Sequence, residues 1–140
     1  MIIFSKISFL EHKAFYTLVG AIITIFTFTI GQIINMKREK SRHKRTVLIA
    51  LTQNNKELFS IIIRGTIDST TIEYDKLRKH LLEASWTFFI MPKDIKNDFN
   101  TLMKIFLCDP REFLNKKKDV PRLLNNITKK LKKYGVEVIG

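Results

Sequence analysis

Residues 14–36 form an uninterrupted run of 23 residues without a charge, AFYTLVGAIITIFTFTIGQIINM. At about 1.5 Å of rise per residue a helix of that length is roughly 35 Å long, enough to cross a hydrocarbon core of about 30 Å with some tilt. Eleven of the 23 are Leu, Ile, Val or Phe, each favourable by about 0.3–0.6 kcal/mol near the bilayer centre. Thr17, Thr24, Thr27, Thr29, Gln32 and Asn35 oppose them. A threonine hydroxyl can return to the carbonyl of the preceding turn, and Gln32 and Asn35 fall near the end that headgroups reach. A cleaved secretory signal has a shorter apolar core and a small-residue exit site, whereas this run ends directly in charge. It also exceeds the usual length of a buried soluble helix. The sequence therefore predicts a single transmembrane helix over 14–36.

The flanks set its orientation. After the run come Lys37, Arg38, Lys40, Arg42, Lys44 and Arg45, six basic residues in nine, against Lys6 and Lys13 with Glu11 before it. The positive-inside rule puts residues 1–13 outside as a short extracytoplasmic leader and the C-terminal 95 residues in the cytoplasm, in the cell (inner) membrane. Ile3, Phe4, Ile7 and Leu10 in the leader have helical spacing and either extend the span or lie in the interface. The single cysteine, Cys108, agrees with a reducing compartment and excludes a disulfide framework or a cysteine-based zinc cluster.

Within the run, Thr17, Gly20, Thr24, Thr27 and Gly31 recur at spacings of three and four, and Asn35 follows four further on. Helices in lipid associate through small residues and interhelical hydrogen bonds, so this stripe is the candidate face for self-association or contact with another membrane subunit. The basic collar at 37–45 acts first as the flank that fixes topology, and it brings attraction to anionic lipid headgroups at roughly 1 kcal/mol per basic residue. Nucleic acid is disfavoured as a partner, because no aromatic side chain is interleaved there to stack a base.

Residues 46–140 read as an all-α cytoplasmic domain, a small bundle of about four helices. They carry 17 basic against 11 acidic residues, a net of +6. Val47, Leu48, Leu51, Leu58, Ile61 and Ile62 cluster with helical spacing. A polar gap, TQNN, lies at 52–55, and Gly65 stands where a C-terminal cap belongs. No Gly or Pro interrupts 32–64, so the membrane helix can continue through the collar. Ile61 to Ile63 are β-branched enough to suggest a short strand as an alternative.

A second helix opens on Thr70 and Glu73, spaced as a capping box. It carries Tyr74, Leu77, Leu81, Ala84 and Phe88 on one face and Leu82, Trp86 and Phe89 on a neighbouring one, the pattern of a central helix. Met91-Pro92 ends it, and Pro92 opens a third helix whose face is Ile95, Phe99, Leu102, Met103 and Phe106. After Cys108-Asp109-Pro110 a polar loop is expected over 111–119. Asp119 then caps a fourth helix, with Pro121 in its first turn and Leu123, Leu124, Ile127, Leu131 and Tyr134 as its stripe. Gly135 fits the position after its end, and the tail VEVIG follows.

The search for chemistry returns no glycine-rich phosphate loop, no nucleophile elbow and no paired Cys or His motif. His80 and Glu83 form one i,i+3 pair, where a di-metal carboxylate bundle needs two such pairs and two more glutamates. Asp94 and Asp98 sit where they complement a helix dipole. We therefore expect no catalytic residue, no metal, no cofactor and no enzymatic activity. Trp86, Phe89, Ile90 and Met91 are the exception to a bland surface, being of the types enriched where proteins dock partners. The expected function is a single-pass, membrane-anchored interaction or regulatory module that docks a cytoplasmic or membrane partner and self-associates through its span as a homo-oligomer. The alternative is a membrane-active effector, a toxin or defence component, that oligomerises and permeabilises the bilayer.

Overall fold

The computed structural model describes residues 2–137, with side chains from residue 11 onward. The leader side chains Ile3, Phe4, Ile7 and Leu10, and Val138, Ile139 and Gly140 of the tail, lie outside the described residues. The protein is all-α, with no strand among the described residues. It divides into two compact units, Met1–Lys40 and Ser41–Gly140.

The first unit belongs to helix α1 (Ile2–Asn54), which is helical through the collar. It is the one helix among the described residues long and apolar enough to cross a membrane. Over residues 14–36 its large apolar side chains are exposed around the whole circumference, including Phe15, Leu18, Ile22, Ile25, Phe26, Phe28 and Ile33.

The second unit closes a core of its own. It contains the last turns of α1, then α2 (Lys56–Ile67), α3 (Tyr74–Ala84), α4 (Lys93–Leu107), α5 (Pro110–Lys116) and α6 (Val120–Lys133), with 3₁₀ turns at Ser69–Thr71, Ser85–Ile90 and Lys117–Asp119. Packing runs from α2 to α3, α3 to α4, α4 to α6 and back from α6 to α2, a closed ring of four helices. The stripes of α4 and α6 face inward as their spacing requires: Ile95, Phe99, Leu102 and Phe106 are buried, as are Leu123, Leu124, Ile127 and Leu131. Met103 and Tyr134 pack against this core half-buried. The aromatic centre is Phe99, with the Phe59 ring at 6.0 Å and the Phe88 ring at 4.8 Å.

Several sequence expectations are corrected here. Asn55 interrupts the helix without any Gly or Pro: its φ and ψ leave the helical region at −122° and 45°, and its side-chain amide donates to the Leu51 carbonyl at 3.0 Å. An asparagine amide offers the backbone an alternative partner, which is how the TQNN gap becomes a boundary. Residues 60–63 are helical.

Gly65 caps nothing, since α2 runs on to Ile67 and ends at Asp68. A Cβ on Gly65 would stand 2.8 Å from Ile72 Cγ1 and 2.9 Å from Leu124 Cδ1, so glycine is needed for close packing. Gly65→Ala should therefore destabilise the unit by about 1 kcal/mol in thermal melts. Overpacking of about 1–3 kcal/mol exceeds the roughly 1 kcal/mol of helix propensity gained.

The capping box at Thr70 and Glu73 is not made. The Thr70 hydroxyl donates to Asp68 Oδ1 at 2.6 Å and its amide to the same oxygen at 2.9 Å, while Glu73 pairs with Lys76. Those donations, the hydroxyl's first, hold the Asp68 carboxyl below its ordinary value, with a small opposing effect of burial. The Asp119 cap is likewise unmade: its carboxylate reaches Arg122 at 3.7 Å, and no side-chain bond caps α6. The polar loop at 111–119 is instead helical, because Asp109 Oδ1 accepts the Arg111 amide at 2.9 Å and Pro110 starts α5. The α6 exit follows its sequence. Gly135 takes φ +71°, its amide donates to the Lys132 carbonyl at 2.9 Å, and the Val136 amide donates to Leu131 at 3.0 Å, a Schellman closure.

Candidate functional site

Three sets of residues singled out in the sequence occupy different parts of the chain. On α1, the small-residue stripe is exposed throughout. The Thr17, Thr24 and Thr27 hydroxyls donate to the carbonyls of Lys13, Gly20 and Ile23 at 2.8–2.9 Å, and Thr29 does the same to Ile25. Their donors are thus spent within the helix, which lowers the cost of threonine in an apolar medium. A Cβ placed on Gly20 or Gly31 would meet nothing within 4 Å. What the stripe offers a neighbour is low relief at the glycines, with Asn35 the exposed amide at its end.

The collar residues Lys37, Arg38, Lys40, Arg42, Lys44 and Arg45 are all exposed. None makes an ion pair among the described residues. Arg45 has a further position that the sequence did not signal. Its Nε lies 3.5 Å from where a Cβ on Gly135 would stand, beside the C-terminal end of α6, where a cation complements the helix dipole.

The third set stands on the 3₁₀ turn between α3 and α4. Ser85–Ile90 buries Thr87 and Phe88 and leaves Trp86 71%, Phe89 68% and Ile90 47% exposed. Met91 does not join that surface, for it is buried in the core at the start of the α4 connection. Nor is α3 the central helix its two apolar faces imply. Leu77, Leu81 and Ala84 fill its buried face, while Leu82 on the second face remains exposed. The change to three residues per turn after Ala84 re-aims the following side chains, so the helical spacing used to read them does not apply.

Asp94 and Asp98 do more than complement a dipole. Lys130 Nζ donates to Asp98 Oδ2 at 2.6 Å and to the Asp94 carbonyl at 3.0 Å, and the Tyr134 hydroxyl donates to the Asp94 carboxylate at 3.0 and 3.1 Å. The order of these pairs runs α4 and α6 antiparallel. Burial first, then the Asp94 carboxylate, push the Tyr134 phenol above its ordinary value of 10.0. A raised phenol contributes stability that is complete below pH 10 and is lost as the pH rises through the folded value. Tyr134→Phe should therefore cost about 1 kcal/mol at neutral pH. Its deficit relative to the parent should shrink in melts recorded progressively above pH 10.

His80 Nδ1 lies 3.3 Å from Glu83 Oε2, with the imidazole mostly covered and the carboxylate exposed. Cys108 is half-buried and its thiol donates to the Ile105 carbonyl at 2.9 Å. No group of three or more metal-ligating side chains occurs among the described residues. An apolar groove of about 390 Å³ runs between Ile63 and Ile67 of α2 and Leu131 of α6, crossed by the Thr66–Thr128 hydroxyl contact at 3.1 Å. Its charged groups, Lys132 and Glu137, are exposed. Comparison with protein-family models, curated proteins and solved structures finds no match.

Proposed function

We propose that the chain is a single-pass, membrane-anchored helical interaction module. The observation that carries this reading is the contrast between the two units. Ser41–Gly140 buries its own apolar stripes, whereas the apolar side chains of residues 14–36 are exposed on every side of their helix. A core helix would bury one face, and an uncharged helix exposed all round is matched to lipid, which solvates every face equally. Six basic residues in nine after the run favour the second unit on the cytoplasmic side. Trp86, Phe89 and Ile90 form its docking surface, since large aromatic side chains left exposed beside a satisfied core mark interaction sites.

The test is carbonate extraction of membranes from cells expressing the full chain, with intact mass and a C-terminal topology reporter. The expected result is an extraction-resistant protein of full mass with a cytoplasmic reporter. Release into the supernatant, or a mass shortened by loss of the N-terminal run, would overturn the anchored reading.

A further inference from the structure

The docking surface has a composition and a size that select its occupant. In the 3₁₀ turn Ser85–Ile90, residues three apart eclipse, so Trp86 and Phe89 stand one above the other. Leu82 and Ile90, both exposed, extend the apolar area. Lys79 and Leu82 lie seven and four residues before Trp86, on the outward side of α3, and Lys93 opens α4 just beyond Ile90. Both lysines are exposed and make no ion pair among the described residues. Two exposed carboxylates, Asp75 and Glu83, stand one turn before and one turn after Lys79, and Glu83 Oε2 lies 3.3 Å from His80 Nδ1. Four apolar groups, two of them aromatic, between unpaired ammonium groups match the layered chemistry of a bilayer surface. There, rings settle at headgroup depth and lysines reach anionic oxygens.

Size separates lipid from protein. A stable protein interface engages about 20–30 residues a side, and this patch has a handful. So small a surface is sufficient only when its partner is already held nearby, because tethering converts docking into an intramolecular step. On the anchored reading, the bilayer is that partner.

We infer that Leu82, Trp86, Phe89 and Ile90 insert into the interfacial layer of an anionic bilayer, with Lys79 and Lys93 on its headgroups. The inference rests on the membrane-anchored reading and names what that module docks.

Trp86 is the sole tryptophan of the chain, so its fluorescence reports on the patch directly. The experiment reconstitutes the full-length protein into phosphatidylcholine vesicles with and without phosphatidylserine. It measures quenching of Trp86 by shallow brominated acyl chains and by aqueous acrylamide. The expected result is bromolipid quenching with loss of acrylamide access, stronger with phosphatidylserine and weakened by salt. Lys79→Gln and Lys93→Gln should each reduce the ratio of docked to undocked protein about fivefold, the equivalent of about 1 kcal/mol per cation. Phe89→Ser should abolish the quenching while leaving the helical circular dichroism unchanged.

Vesicle flotation separates the two readings. Protein that fails to float defeats the anchored reading. Protein that floats while Trp86 stays open to acrylamide and indifferent to bromolipid defeats the docking inference alone. Protection from acrylamide without bromolipid quenching would mean that a protein surface, such as a second copy, covers the patch, and would overturn the lipid assignment.

Discussion

Phe99→Ala should lower the stability of the helical unit by about 3–5 kcal/mol, the cost of truncating a fully buried phenylalanine. Phe99 has no exposed surface, and its ring is held between Phe59 of α2 and Phe88 of the 3₁₀ turn. One truncation therefore strips the contacts that tie α4 to α2 and to the 3₁₀ turn. Each aromatic pair is worth about 0.5–1.5 kcal/mol beyond the area it buries. A domain of this size has about 5–15 kcal/mol in total, so the variant should melt far below the parent and be partly unfolded at modest urea. Phe89→Ala removes the same ring from an exposed position and should change stability by no more than about 0.5 kcal/mol. Equal losses in the two variants would mean that Phe89, not Phe88, is the ring of the 3₁₀ turn that fills the core.

The opposite burial of the neighbours Phe88 and Phe89 marks where sequence reasoning reached its limit. Stripes of period 3.6 and terminators with fixed chemistry were legible: the uncharged run, the inward faces of α4 and α6, the break at Met91-Pro92 and the glycine closure at Gly135. Features decided by a partner outside the motif were not. Gly65 lies near a helix end and reads as a cap, but its reason is a side chain on α6 59 residues away, Leu124, together with Ile72. Asp94 and Asp98 read as dipole partners until α6 brings Lys130 and Tyr134 across. Thr70 and Glu73 have the spacing of a capping box, yet Asp68, two residues before Thr70, takes its hydroxyl first.

The candidate docking surface was half legible for a related reason. Composition alone picked out Trp86, Phe89 and Ile90. Separating them from Met91 and Phe88 requires knowing that α3 gives way to a 3₁₀ turn after Ala84. That switch rotates successive side chains by about 120° where α-helical reading assumes about 100°. No Gly or Pro announces it, since Ala84-Ser85 is compatible with either helix.

The double substitution Ile22→Lys, Phe26→Lys should move the protein from the membrane fraction to the supernatant. The eleven Leu, Ile, Val and Phe residues of the run together supply roughly 3–7 kcal/mol toward insertion at about 0.3–0.6 each. Two lysines near the centre oppose this by about 2.5–3.5 kcal/mol apiece, which is enough to cancel it. The positions are four apart, on one side of α1 and near the middle of its apolar run, so neither ammonium reaches a headgroup layer by extending its stem. Both native side chains are exposed, at 49% and 67%, and belong to the first unit, so the core of Ser41–Gly140 loses nothing. Thr24→Ala is the matched control within the same turn. Its hydroxyl is spent on the Gly20 carbonyl, and removing it should leave fractionation unchanged. Retention of the double-lysine protein in carbonate-washed membranes would mean that the run is not what holds it there. The collar and the aromatic patch would then have to account for binding without a span.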